Sequence, residues 1–72
     1  MENTHIVVHY SEYSKDIKGV YANIDNDFQV ILINSMYCEE EREAIYKTLC
    51  DILNSGTYSL ILLKADNTII TK

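Results

Sequence analysis

Two histidines, two cysteines and a run of glutamates are the residues of this chain with chemistry beyond packing. His5-x-x-x-His9 has the spacing of a metal-ligand pair on a helix, whereas on a strand the same step parts the two residues by ~13 Å. Val7 and Val8 lie between them and favour the strand. The pair is therefore read as two polar side chains on one strand face, and no metal site or other cofactor is expected. Cysteine-histidine catalysis needs a thiolate held against an imidazole, and nothing in the spacing brings Cys38 or Cys50 to either histidine. Gly19 and Gly56 are isolated, so no glycine-rich loop cradles a phosphate, and no nucleophile elbow surrounds any serine. A non-enzymatic protein is expected.

Glu39, Glu40, Glu41 and Glu43 are the densest charge on the chain. One reading is a solvated helix start, where carboxylates meet the positive end of the helix dipole. The other is that, with Asp25, Asp27 and Glu12, they present an acidic surface to a basic partner protein, such as one whose groove normally holds nucleic acid. Direct nucleic-acid binding is not expected, because eleven carboxylates against six lysines and arginines leave a net charge of −5. Six tyrosines and no tryptophan suit either a core edge or an interface.

The elements that must position these groups follow from periodicity. With 72 residues, 47% of them hydrophobic and none of them proline, one folded domain over residues 1–72 is expected. His5 to Tyr10 is β-branched and aromatic and reads as a first strand. Lys18 to Ile24 and Phe28 to Asn34 form a hairpin around Asp25-Asn26-Asp27. Periodicity then turns helical: Glu41, Ile45, Leu49 and Ile52 or Leu53 recur at three- and four-residue steps, predicting a helix over about 38 to 54 that stops at Asn54-Ser55-Gly56. Tyr58 to Lys64 and Thr68 to Thr71 make a second hairpin. The expected fold is α+β, in the order β-ββ-α-ββ, a mostly antiparallel sheet with one helix on one face. The longest aliphatic runs, Val30 to Ile33 and Leu60 to Leu63, are too short for a bilayer, and the start of the chain has no secretory signal, so a soluble cytoplasmic protein is expected. Cys38 and Cys50 fall on one helix ~18 Å apart, too far for a disulfide.

Two strands are apolar on both sides. Phe28, Val30 and Leu32 oppose Ile31 and Ile33, and Tyr58, Leu60 and Leu62 oppose Ile61 and Leu63. One helix covers one face only, and leaving the other bare forgoes roughly 1.5–3 kcal/mol per aliphatic side chain. A homodimer or a partner protein is expected to cover it, with Ile31, Ile33, Ile61 and Leu63 at the interface; the alternative is a sheet curled under its own loops and tyrosines.

From Lys18 to Leu53 the order of features resembles the start of the ImmA/IrrE-type metallopeptidase domain of mobile elements: a Gly19-x-Tyr21 strand, a turn, an Ile31-Leu32-Ile33-Asn34-Ser35 strand, then Glu39-Glu40-Glu41-Arg42 opening a helix. About half of the chain is covered. That family carries H-E-x-x-H on the helix, and the best register here reads Lys47-Thr48-Leu49-Cys50-Asp51. Neither zinc-ligand position holds histidine, and Thr48 stands where the general base belongs. The resemblance implies a shared strand-strand-helix core without peptidase chemistry.

The expected function is therefore that of a small acidic protein-binding module, an inhibitor of a host protein carried by a phage or mobile element. Two alternatives stand beside it. One is a minimal metal-binding or enzymatic subunit with His5, His9 and Cys50 sharing a site across an oligomer interface. The other is a relic of the peptidase fold, or a subunit of a larger assembly.

Overall fold

Strand alternation and one helical stripe produce the architecture seen in the computed structural model, which describes residues 5–25 and 28–72. The elements are β1 (His5–Ser11), β2 (Ile17–Asp25), β3 (Phe28–Asn34), α1 (Glu39–Ser55), β4 (Leu60–Lys64) and β5 (Ile69–Thr71). The fold is α+β in the expected order. One mixed sheet runs β1-β3-β2-β4-β5. Three pairings are antiparallel (β2 with β3, β2 with β4, β4 with β5), whereas β1 lies parallel to β3. Since β3 and β4 both oppose β2, they run parallel to each other, and α1 is the crossover of a βαβ unit split by β2.

Cys38 occupies the N-cap of α1 with no capping bond from its side chain, and Glu39, Glu40 and Glu41 fill the first turn. At the other end, the Gly56 N–H reaches the Leu53 carbonyl. The turn between β4 and β5 places Asn67 at φ 70°, a left-handed conformation that asparagine tolerates better than most residues. There the Asp66 carboxylate accepts a bond from the Thr68 N–H at 3.0 Å. Thr68 side-chain and backbone bonding, aided by Lys64, holds that carboxyl below the ordinary aspartate range.

The core lies between α1 and one face of the sheet. Ile31, Ile33 and Ile61 are fully buried, Tyr21 and Leu63 nearly so, against Ile45 and Leu49 of the helix. This corrects the expectation that Ile31, Ile33, Ile61 and Leu63 form an intermolecular surface. They do share a face, but it is the face that the helix covers. Gly19 explains the choice: it pairs with Ile33 and Leu63, and a Cβ there would stand 2.8 Å from Ile45 Cγ2 and 3.2 Å from Leu49 Cδ1. The missing side chain makes room for the helix to seat on β2.

Gly19→Ala is accordingly expected to cost ~1–3 kcal/mol by overpacking, because the Leu32 carbonyl oxygen, 3.1 Å from the new methyl, blocks escape toward β3. Thermal unfolding followed by circular dichroism should show Tm lower by roughly 5–15 °C. An unchanged Tm would mean that α1 does not press on β2.

Asn34, at the end of β3, is the buried polar residue among the described residues. Its Oδ1 accepts from the Tyr13 and Met36 N–H groups at 3.2 and 3.0 Å, and its Nδ2 donates to the carbonyls of Ser14 at 3.0 Å and Ile17 at 2.8 Å. One amide thereby fixes the loop after β1 and the chain entering α1, which set where the helix starts.

Candidate protein-docking face

The face of the sheet turned away from α1 is defined by register. Tyr21, Ile31, Ile33, Ile61 and Leu63 point to the helix, so the residues between them point the other way. Two rows result. His9, Leu32, Val20, Leu62 and Ile70 are successive cross-strand partners over all five strands, and Val7, Val30, Ala22 and Leu60 form a second row over four. Apart from His9 every member is apolar, and no carboxylate falls in either row. The central members are half-buried by one another, while Val7 and Ile70 at the margins and Phe28 beside the second row are exposed. With strands ~4.8 Å apart and the rows ~7 Å apart along them, the rows and their side chains cover roughly 300 Å², within the size of the largest apolar patch on a monomer, which is often functional. Helix α1 packs on the other face of the sheet.

The carboxylates gather elsewhere. Glu39, Glu40, Glu41 and Glu43 are exposed around the first turns of α1. Glu12 lies in the loop after β1, at the same end of the sheet. Asp25 ends β2 and pairs with Phe28 at the start of β3, which places its backbone ~20 Å from Asn34, where β3 leads toward the helix. A single acidic surface joining Asp25 to the four glutamates is therefore not formed. Asp27 lies outside the described residues. The glutamates themselves divide around the helix: Glu39 and Glu43 flank Arg42, whose guanidinium lies 5.6 Å from the Tyr10 ring centroid, and Glu41 faces Lys18 and Asn67 on the opposite side.

Catalytic groupings are not assembled within the described residues. His9 stands in the open row, whereas Cys50 packs against the core on the helix side. The two therefore lie on opposite faces of the sheet. Cys38 and Cys50 are free thiols. The Cys50 thiol, with partial burial and Tyr10, holds the Tyr46 hydroxyl above the ordinary phenol range. Among the described residues no three His, Cys, Asp or Glu side chains converge as a metal site would require. Clefts of about 100, 170 and 200 Å³ lie beside Thr48, Arg42 and Asp66, each below the ~300–1,000 Å³ of a ligand pocket. No helix among the described residues is long and apolar enough to cross a membrane.

The four glutamates and the existence of a surplus apolar face were legible in the sequence, but that face was placed on Ile31, Ile33, Ile61 and Leu63, whereas the open one carries Leu32, Val20 and Leu62. Comparison with protein-family models, with curated proteins and with solved structures finds no match to this chain.

Proposed function

We propose that this chain is a small non-enzymatic binding module that docks another protein on the open face of its sheet. The observation that carries this reading is the pair of apolar cross-sheet rows on the face that α1 does not cover. The partner presents an apolar patch to Leu32, Val20, Leu62 and their neighbours. The glutamates at the start of α1, standing off that face, act at longer range by steering a basic partner into encounter. Combined with the sequence resemblance to a mobile-element domain, the reading makes the module an inhibitor that a phage or mobile element directs at a host protein, acting by occupancy.

Binding to the partner identified by affinity capture is the test. Leu32→Lys should lower affinity at least about a hundredfold, as expected for a charge placed in the centre of an apolar interface. The quadruple variant Glu39→Gln, Glu40→Gln, Glu41→Gln and Glu43→Gln should slow association a few-fold and flatten its salt dependence, with little change in dissociation. Leu32→Lys binding with wild-type affinity would overturn the docking face, and a loss of affinity confined to the quadruple variant would move the site to the helix start.

A further inference from the structure

We infer that the free edge of β1 pairs with β1 of a second copy, antiparallel about Val8, to form a continuous ten-stranded sheet. Strand β1 has one sheet neighbour, β3, so its other edge is unpaired among the described residues. The Ser11 carbonyl accepts from the Ser35 N–H on the β3 side. Backbone groups alternate along a strand, so Val7, His9 and Ser11 bond to β3, and Ile6, Val8 and Tyr10 turn their N–H and C=O groups outward.

An edge seven residues long is normally blunted by lysine, proline or a bulge. This one has none of the three. Its register with β3 is unbroken from His5 to Ser11, and it holds no Asp, Glu, Lys, Arg or proline. The other edge is blunted by length, β5 having three residues. Strand β1 also projects past the helix, which packs over β2, β3 and β4. Ile6 and Tyr10 are therefore 46% and 52% exposed on the helix side.

Self-complementarity selects a second copy as the occupant. Two copies of net charge −5 repel each other, and β1, which holds no Asp, Glu, Lys or Arg, is the element through which they meet with least repulsion. Antiparallel pairing centred on Val8 sets Val8 against the partner's Val8, and Ile6 against the partner's Tyr10. All three outward-facing residues are then used in closely hydrogen-bonded pairs, six N–H···O bonds in total. Tyr10, which lies beside Glu39 and Glu43, is kept ~13 Å along the seam from its counterpart, more than a Debye length at physiological salt.

The twofold axis stands perpendicular to the sheet, so both helices lie on one side and both open faces on the other. His9 of one copy then neighbours Val7 of its partner, and the apolar rows continue across the seam. This rests on the docking reading only for its consequence, a doubled docking face; the pairing itself is tested without any partner.

Sedimentation equilibrium over low to high micromolar concentration measures the association. The wild-type chain should reach twice its 8.3 kDa mass. Ile6→Lys with Tyr10→Lys sets like charges opposite each other at two symmetric places and should weaken the dimer at least about tenfold. Ile6→Glu with Tyr10→Lys sets opposite charges there and should recover it. Circular dichroism confirms that each variant folds, both positions being exposed. A wild-type monomer at high micromolar concentration overturns the proposal. So does a dimer insensitive to the paired lysines yet lost in Leu32→Lys, which would place the contact on the open face instead. A dimer that persists when Leu32→Lys abolishes partner binding upholds the seam and the docking face separately.

Discussion

Asn34→Leu is expected to destabilise the domain by ~3–5 kcal/mol, although leucine has the same number of side-chain heavy atoms, branched at the same carbon, and gains favourable burial. The substitution strips the Tyr13 and Met36 N–H groups of their acceptor and the Ser14 and Ile17 carbonyls of their donor. Each buried group left unpaired costs ~1–3 kcal/mol, less where water can reach it, as at exposed Met36. Domains of this size hold roughly 0.05–0.15 kcal/mol per residue, so the loss approaches the whole. Asn34→Asp sharpens the test. A carboxylate keeps both acceptor contacts but faces two carbonyl oxygens at hydrogen-bond distance, which raises its folded pKa above the unfolded value. Stability lost through this group at neutral pH should therefore return as pH falls through the folded pKa toward about 4, because protonation restores one donor. Urea unfolding at pH 7 and pH 5 checks the sign. A midpoint for Asn34→Asp that does not rise on acidification would show that the amide's donor bonds are unimportant.

Element order was legible because period two and period three-to-four stand out in this sequence, and Asp25-Asn26-Asp27 and Ala65-Asp66-Asn67 punctuate the hairpins. Alternation also groups Ile31, Ile33, Ile61 and Leu63 correctly on one face. It does not say which face a helix will cover when both are apolar. The deciding residue was nonetheless present: counting back across the first hairpin sets Gly19 opposite Ile33, and a glycine is where a helix can approach a sheet. The parallel pairing of β1 with β3 had no comparable signal. A parallel neighbour is joined through long-range closure rather than a local turn, and nothing in the residues of β1 singles out β3 as its partner. The role of Asn34 was equally hidden, since an asparagine at a strand end ordinarily marks a turn. Its four-way bonding depends on a loop that folds back over it. As for the glutamates, one run in sequence becomes a ring around a helix, and Asp25 falls at the far end of the sheet because β3 runs its full length between them.

Ile61 and Leu62 are adjacent, similar in size and both in β4, yet lysine at the two positions should have opposite consequences. Ile61 is fully buried beneath α1 between Tyr21 and the helix. An ammonium there has no water and no carboxylate, and the desolvation of an unpaired buried charge costs several kcal/mol at least, enough to unfold a domain of 72 residues. Leu62 lies half-buried on the open face, between Val20 and Ile70. A lysine there lays its methylene stem along those neighbours and lifts the charge into water, so the cost stays within about 1–2 kcal/mol. Ile61→Lys should therefore give a chain without cooperative thermal unfolding and with collapsed amide-proton dispersion in its NMR spectrum. Leu62→Lys should melt cooperatively within roughly 10 °C of wild type. The second variant is then the informative one for function: folded, with its helix and acidic groups unchanged, it should fail to bind the partner, because the charge sits in the middle of the longer apolar row. Equal stability of the two variants would contradict the assignment of faces, and with it the docking surface, since each follows from the same alternation along β4.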